Sequence, residues 1–357
     1  MRITCTLGRG GGVSRMSEGS FLRLKDGSIL FALCRFTDEM GHDDGACDLA
    51  YIVSKDEGES WSQPEILLRA KEFGVSNIMS VSLLRMQNED LGLFFLVKEN
   101  DGSSNVVLAR SKDEGQSFYR FIRCTLKDRP SYYVINNDRV ERLPGGRLIL
   151  PLAYHRSGFD ENGRSFTDWR SVCVFLISDD DAETWREARD LVYPPFTDCG
   201  AGLQEPCVVW LHDSTLFMYA RTDKYCQYGA YSFDAGEHWT AAQPTVFTSP
   251  CSPMKIARDP YSKKLCAVWN PIPNYCGREI VPRMGGRTPL VYAVSADDGV
   301  SWSKPHLIEG QPDHGYCYPA LFFTRDQSLL CAYCAGGPAD VHCLSRTNIA
   351  KIALGED

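Results

Sequence analysis

An eight-residue motif, Ser-x-Asp-x-Gly-x-x-Trp, recurs five times and predicts an all-β chain: a six-bladed β-propeller of four-stranded antiparallel blades. Two further observations support this. The motif serines, Ser54, Ser111, Ser178, Ser232 and Ser295, stand about 60 residues apart, the length of one blade with its loops. Each motif also follows an apolar, strand-like run, at 48–54, 105–111, 172–178, 228–232 and 290–295.

The copies are Ser54–Trp61, Ser111–Phe118, Ser178–Trp185, Ser232–Trp239 and Ser295–Trp302. The pattern is that of a tight hairpin: the aspartate accepts backbone N–H bonds, the glycine takes φ > 0, and the aromatic tucks beneath. Ala182 replaces the glycine in the third copy, which predicts a distorted turn there. The sixth blade has no motif. Its strands are expected from residues 316–353, closed by a strand from the N-terminus, so that residues 1–357 form a single domain.

Composition agrees with a soluble globular chain: 357 residues, 43% hydrophobic and 24% charged. The net charge of −8 argues against nucleic acid or an anionic membrane as partner. It leaves room for a small anion held by a few arginines. The first residues carry no apolar signal-peptide core, and no run is apolar enough to span a membrane. The fifteen cysteines are odd in number and lie mostly in apolar runs, so reduced thiols in a cytoplasmic protein are expected. Cys331 and Cys334 fall on opposite faces of a strand-like run, which argues against a metal site. Oligomeric state is not legible.

The five motifs resemble the Asp boxes (BNR repeats) of the sialidase, or neuraminidase, superfamily. In that family the boxes sit at the blade periphery, so their aspartates are read as structural. The resemblance then supplies site residues. An acid/base aspartate about eleven residues before the first box corresponds to Asp43, with Asp44 adjacent. A glutamate followed about fifteen residues later by an arginine corresponds to Glu205 and Arg221, a pair that a structural ion pair would also explain. An arginine eight residues before the last box corresponds to Arg287, in a run that also holds Arg278 and Arg283. The tyrosine nucleophile corresponds by register to Tyr316, with Tyr318 a competitor two positions on.

The first clamp arginine corresponds to Arg15. Its segment departs from the family's Arg-Ile-Pro, because there is no proline and Glu18 intrudes. Arg35 stands where sialidases often contact substrate hydroxyls, and Asp138 and Arg139, with Asn77, are read as pocket lining.

These residues span 300 positions, and a propeller would gather them at its axis. The resemblance implies a retaining exo-glycosidase that removes a terminal α-linked sialic acid or similar 2-keto sugar acid. In it Tyr316 would be the nucleophile, Glu205 its base, Asp43 the acid/base, and Arg15, Arg221 and Arg287 the carboxylate clamp. It implies a small acidic sugar or oligosaccharide as partner and no metal or organic cofactor. Two alternatives are a propeller glycosidase or lyase on another acidic sugar, and a non-catalytic carbohydrate- or protein-binding propeller.

Overall fold

The computed structural model describes residues 1–100, 102–129, 131–272 and 281–354. They form a six-bladed β-propeller, with only two short 3-10 turns, Ala70–Phe73 and Pro282–Met284, among the described residues. Blade I runs from the inner strand Arg15–Arg23 through Ile29–Phe36 and Cys47–Ser54 to Glu65–Leu68. Blade II has Asn77–Arg85, Leu91–Asn100, Ser103–Ser111 and Arg120–Arg123. In blade III the inner edge is broken into Tyr132–Val134 and Glu141–Arg142, both paired to Leu148–His155, then Val172–Ser178 and Arg186–Glu187. Blades IV and V begin at Gln204–Trp210 and Lys255–Arg258 and are four-stranded meanders. Blade VI takes Gly315–Phe323, Ser328–Gly336 and Arg346–Ala353, and Arg2–Leu7 completes it.

All five boxes adopt one geometry. In the first, Ser54 Oγ donates to Asp56 Oδ1 (2.8 Å) and accepts from Gly58 N–H (2.8 Å), while Ser60 N–H donates to Asp56 Oδ1 (2.9 Å). The turn needs two successive left-handed residues, such as Glu57 and Gly58. Asp181 and Ala182 occupy the same positions at φ 57° and 72°. Ala182 N–H reaches Ser178 Oγ at 2.9 Å, so the third turn is not distorted. The box aromatics wedge between blades: Trp239 stacks on Phe175 of blade III (4.2 Å), and Trp185 meets Phe94 of blade II edge-on (6.3 Å). The fourteen described cysteines are free thiols.

The inner strands kink. Ladder register slips at Ser17/Ser20, Met79/Ser82, Gln204/Cys207 and Cys317/Ala320, and each slip encloses a left-handed residue: Glu18, Ser80, Glu205 and Tyr318. Such bulges break the alternation of side chains along the strand. Around the axis the blades are stitched by polar contacts. Asp138 Oδ1 accepts from Ser20 Oγ (2.9 Å), and its other oxygen lies 3.2 Å from Lys255 Nζ. Asn137 Nδ2 donates to the Gly19 carbonyl (2.8 Å), and Arg139 Nη1 to that of Met254 (2.9 Å). Removing one partner of a buried pair strands the other. Asp138→Ala is therefore expected to cost about 3 kcal/mol of unfolding free energy, read by urea denaturation.

Candidate active site

The kinks turn side chains into a cavity of about 220 Å³ at one end of the axis. Glu18, Ser80, Glu205 and Tyr318, the four left-handed residues, all line it. Asp43, Asp44 and Arg221 join them from loops and strand ends. Tyr318 Oη donates to Glu205 Oε1 at 3.0 Å, and Glu205 Oε2 lies 3.0 Å from Arg221 Nε and accepts from Asn136 Nδ2 at 3.2 Å. Arg221 Nη2 also donates to Gln204 Oε1 (2.9 Å). Burial, reinforced by the Glu205 charge and opposed by Arg221 and Arg287, pushes the Tyr318 phenol well above its ordinary pKa. At rest the proton therefore belongs to the tyrosine.

The Asp43 loop is held from three sides. Asn77 Nδ2 donates to the carbonyls of Asp43 (3.0 Å) and Gly45 (2.6 Å). Lys98 Nζ donates to the Asp43 carbonyl (2.6 Å) and pairs with the Asp44 carboxylate (2.9 Å). Arg15 Nη1 donates to Asp43 Oδ1 (2.5 Å). Burial alone would raise the Asp43 carboxyl, but the charge and hydrogen bond of Arg15, with Lys98 and Arg221, hold it below its usual value. Glu18 also accepts from Arg15, through Nη2. Burial lifts the Glu18 carboxyl, against the pull of Arg15.

The three arginines do not form an open clamp. Only Arg221 lines the cavity. Arg15 is 1% exposed, and its N–H groups also serve Ser17 Oγ (2.7 Å) and the Gly41 carbonyl (3.1 Å), so no parallel N–H pair is left free. Arg287 lies 5.6 Å from the Tyr318 ring centroid and donates to Cys317 Sγ, Cys343 Sγ and the Cys251 carbonyl. Arg278 lies outside the described residues, and Arg283 donates to the Pro338 carbonyl (2.8 Å).

Other sequence expectations move. Tyr316 stacks on His314 (6.1 Å) and meets Tyr333 edge-on (6.1 Å), a packing position with its backbone N–H on the Arg287 carbonyl (2.7 Å). The Cys317/Ala320 bulge parts it from Tyr318, so the two tyrosines do not share a face as plain alternation predicts. Arg35, paired in register with Met16 and Asp48, does not line the cavity. Nor do Asp138 and Arg139, which are committed to the axial network, or Asn77, which braces the Asp43 loop. Sequence reasoning missed Lys98, Tyr132, His155 and Trp169, which also line the cavity. Trp169 is 56% exposed and meets Tyr132 and His155 edge-on. No motif marks these four. Asn136 was within reach, because it begins the Asn136–Arg139 segment singled out for the inner strand of blade III.

Five Asp boxes on a six-bladed ring, with a Tyr–Glu–Arg cluster at its axis, define a sialidase-like propeller. Residues 30–337 match the family of the BNR repeat-like domain, and the chain belongs to that family. No curated protein matches it. Among solved structures it is similar to a protein of unknown function from Dyadobacter fermentans (17% identity, TM-score 0.73, covering 98% of this chain and 99% of that one). It is similar also to the NanB sialidase of Streptococcus pneumoniae (13%, 0.71, 99% and 70%) and to a leech intramolecular trans-sialidase complexed with 2,7-anhydro-Neu5Ac (15%, 0.70, 97% and 70%). At these identities the likeness is one of fold.

The Arg15–Asp43 pair has a pH signature. A depressed carboxyl pKa adds stability that is present above the unfolded value of about 3.9 and lost as pH falls through the lower folded value. Asp43→Asn removes that contribution, so its melting temperature should fall less than that of the wild type as pH drops below about 4.

Proposed function

We propose that the chain is a retaining exo-glycosidase that releases a terminal α-linked sialic acid or a similar 2-keto sugar acid. The observation that carries this reading is the 3.0 Å hydrogen bond from Tyr318 to Glu205 in the cavity that Asp43 and Arg221 also line. The nucleophile of this reading is Tyr318, not Tyr316.

Glu205 takes the phenolic proton as Tyr318 oxygen attacks the anomeric carbon. Asp43 protonates the departing oxygen, and its carboxylate then draws a proton from water as water attacks the glycosyl–tyrosine. Two inversions give retention. A neutral phenol suits an anionic sugar, because a carboxylate nucleophile would be repelled by the sugar's own acid group. The resting Asp43 is ionised on Arg15 and is not yet an acid. A substrate carboxylate that competes for Arg15 Nη1 frees Asp43 and removes the charge that depresses its pKa. Arg221 then contacts the sugar directly, and Trp169 offers a face beside it.

Hydrolysis of a fluorogenic α-sialoside tests the assignment. Turnover should fall about a thousandfold or more in Tyr318→Phe and Glu205→Gln, and stay near wild type in Tyr316→Phe. Full activity in Tyr318→Phe removes it as nucleophile. No wild-type turnover, with hydrolysis of another acidic glycoside instead, would move the substrate and leave the residues in place.

A further inference from the structure

Three thiols gather beside Tyr318, and the proposed mechanism uses none of them. Cys317 precedes Tyr318 in the kinked strand, and Cys334 is its cross-strand partner. Cys343 comes from the loop before Arg346–Ala353. Gly315 makes the approach possible, since a Cβ there would lie 2.6 Å from Cys343 Cβ. Cys317 Sγ and Cys343 Sγ are 3.9 Å apart. Arg287 Nη1 stands over both, 3.2 Å from Cys317 Sγ and 3.7 Å from Cys343 Sγ.

The two sulfurs differ in character. A hydrogen bond from Cys317, with help from Arg287 and His342, draws the Cys343 thiol down against burial. Burial pushes Cys317 and Cys334 up. A thiolate beside a protonated thiol and a cation is the arrangement of an attacking and a resolving cysteine.

We propose that Cys343 and Cys317 form a redox-active dithiol that a small peroxide converts to a disulfide, and that this bond sets the charge balance around Arg287. The Cys343 thiolate attacks one peroxide oxygen. An S–O bond forms, the O–O bond breaks, and the departing hydroxide takes a proton. Cys317 sulfur then attacks the sulfenic sulfur, and its proton leaves with the hydroxyl as water. The two sulfurs lose two electrons and the peroxide becomes two waters. In the reduced protein the thiolate compensates Arg287. The disulfide carries no charge, so Arg287 is left as a bare cation against Tyr318. This second step rests on the acidic-sugar reading above; the dithiol itself does not.

Peptide mapping by mass spectrometry after hydrogen peroxide treatment reads the first step without any turnover. The wild type should lose two thiols and yield a peptide bridged from Cys317 to Cys343, reversed by dithiothreitol. Cys334→Ser should still form the bridge, and Cys343→Ser should not. Unchanged wild-type thiols, or a bridge from Cys317 to Cys334, overturn the pair. For the second step, the KM for a fluorogenic α-sialoside should fall several-fold in the oxidised wild type and not in peroxide-treated Cys343→Ser. A bridge with unchanged KM overturns the link to Arg287. A bridge with no turnover of the α-sialoside in either state leaves the dithiol standing and refutes the α-sialoside as substrate.

Discussion

Everything at the axis depends on a left-handed residue in the middle of an inner strand. A strand that alternates strictly gives its side chains to the two blade faces, where the core lies, and has none to give to the ring's centre. Glu18, Ser80, Glu205 and Tyr318 escape that rule by taking φ of 55°, 62°, 49° and 54°. For a residue with a Cβ such backbone costs roughly 1–2 kcal/mol. The ladder resumes on both sides of each kink, which holds the strained residue in place. Proline follows two of the four, Pro206 and Pro319, at positions where the slipped register has no use for an N–H donor. Strain, cavity and chemistry are one feature seen at three scales.

The charges gathered there are balanced before any ligand arrives. Arg15 serves two carboxylates, Arg221 is tied to Glu205, and Lys98 anchors the loop that carries Asp43 and Asp44. An anion entering this cavity meets no empty receptor. It has to trade places with an internal acid, so affinity is set by a difference between two sets of similar hydrogen bonds. Such a trade would couple binding to protonation, because a displaced carboxyl returns to an ordinary pKa.

The periphery was legible in the sequence and the axis only in part. The boxes are short-range objects: serine, aspartate and glycine lie within a few residues of one another and specify their turn locally. They also served as rulers, and distances counted from them reach Asp43, which lines the cavity, and Arg287, which lies against Tyr318. The register of the resemblance points to Tyr316, whereas the structure sets Tyr318 against Glu205, across a slip of register that nothing in the sequence around Pro319 announces. Asp138 and Arg139 were misplaced for a related reason. Residues at an inner-strand start can face the cavity or the stitching beneath it, and their partners, Ser20, Lys255 and Met254, come from other blades. Trp169 and Lys98 have no local pattern at all.

The closing blade has a mechanical corollary. Arg2–Leu7 runs antiparallel to Arg346–Ala353, with Arg2 opposite Lys351 and Leu7 opposite Thr347. Arg2 and Ala353 therefore stand at the same end of this one ladder. Tension applied to them loads the hydrogen bonds one after another, as a zipper is loaded, and not all together in shear. An unfoldase or a translocation motor pulling there would open the ring at this seam, and Arg15, a few residues past Leu7, would soon lose its hold on Asp43.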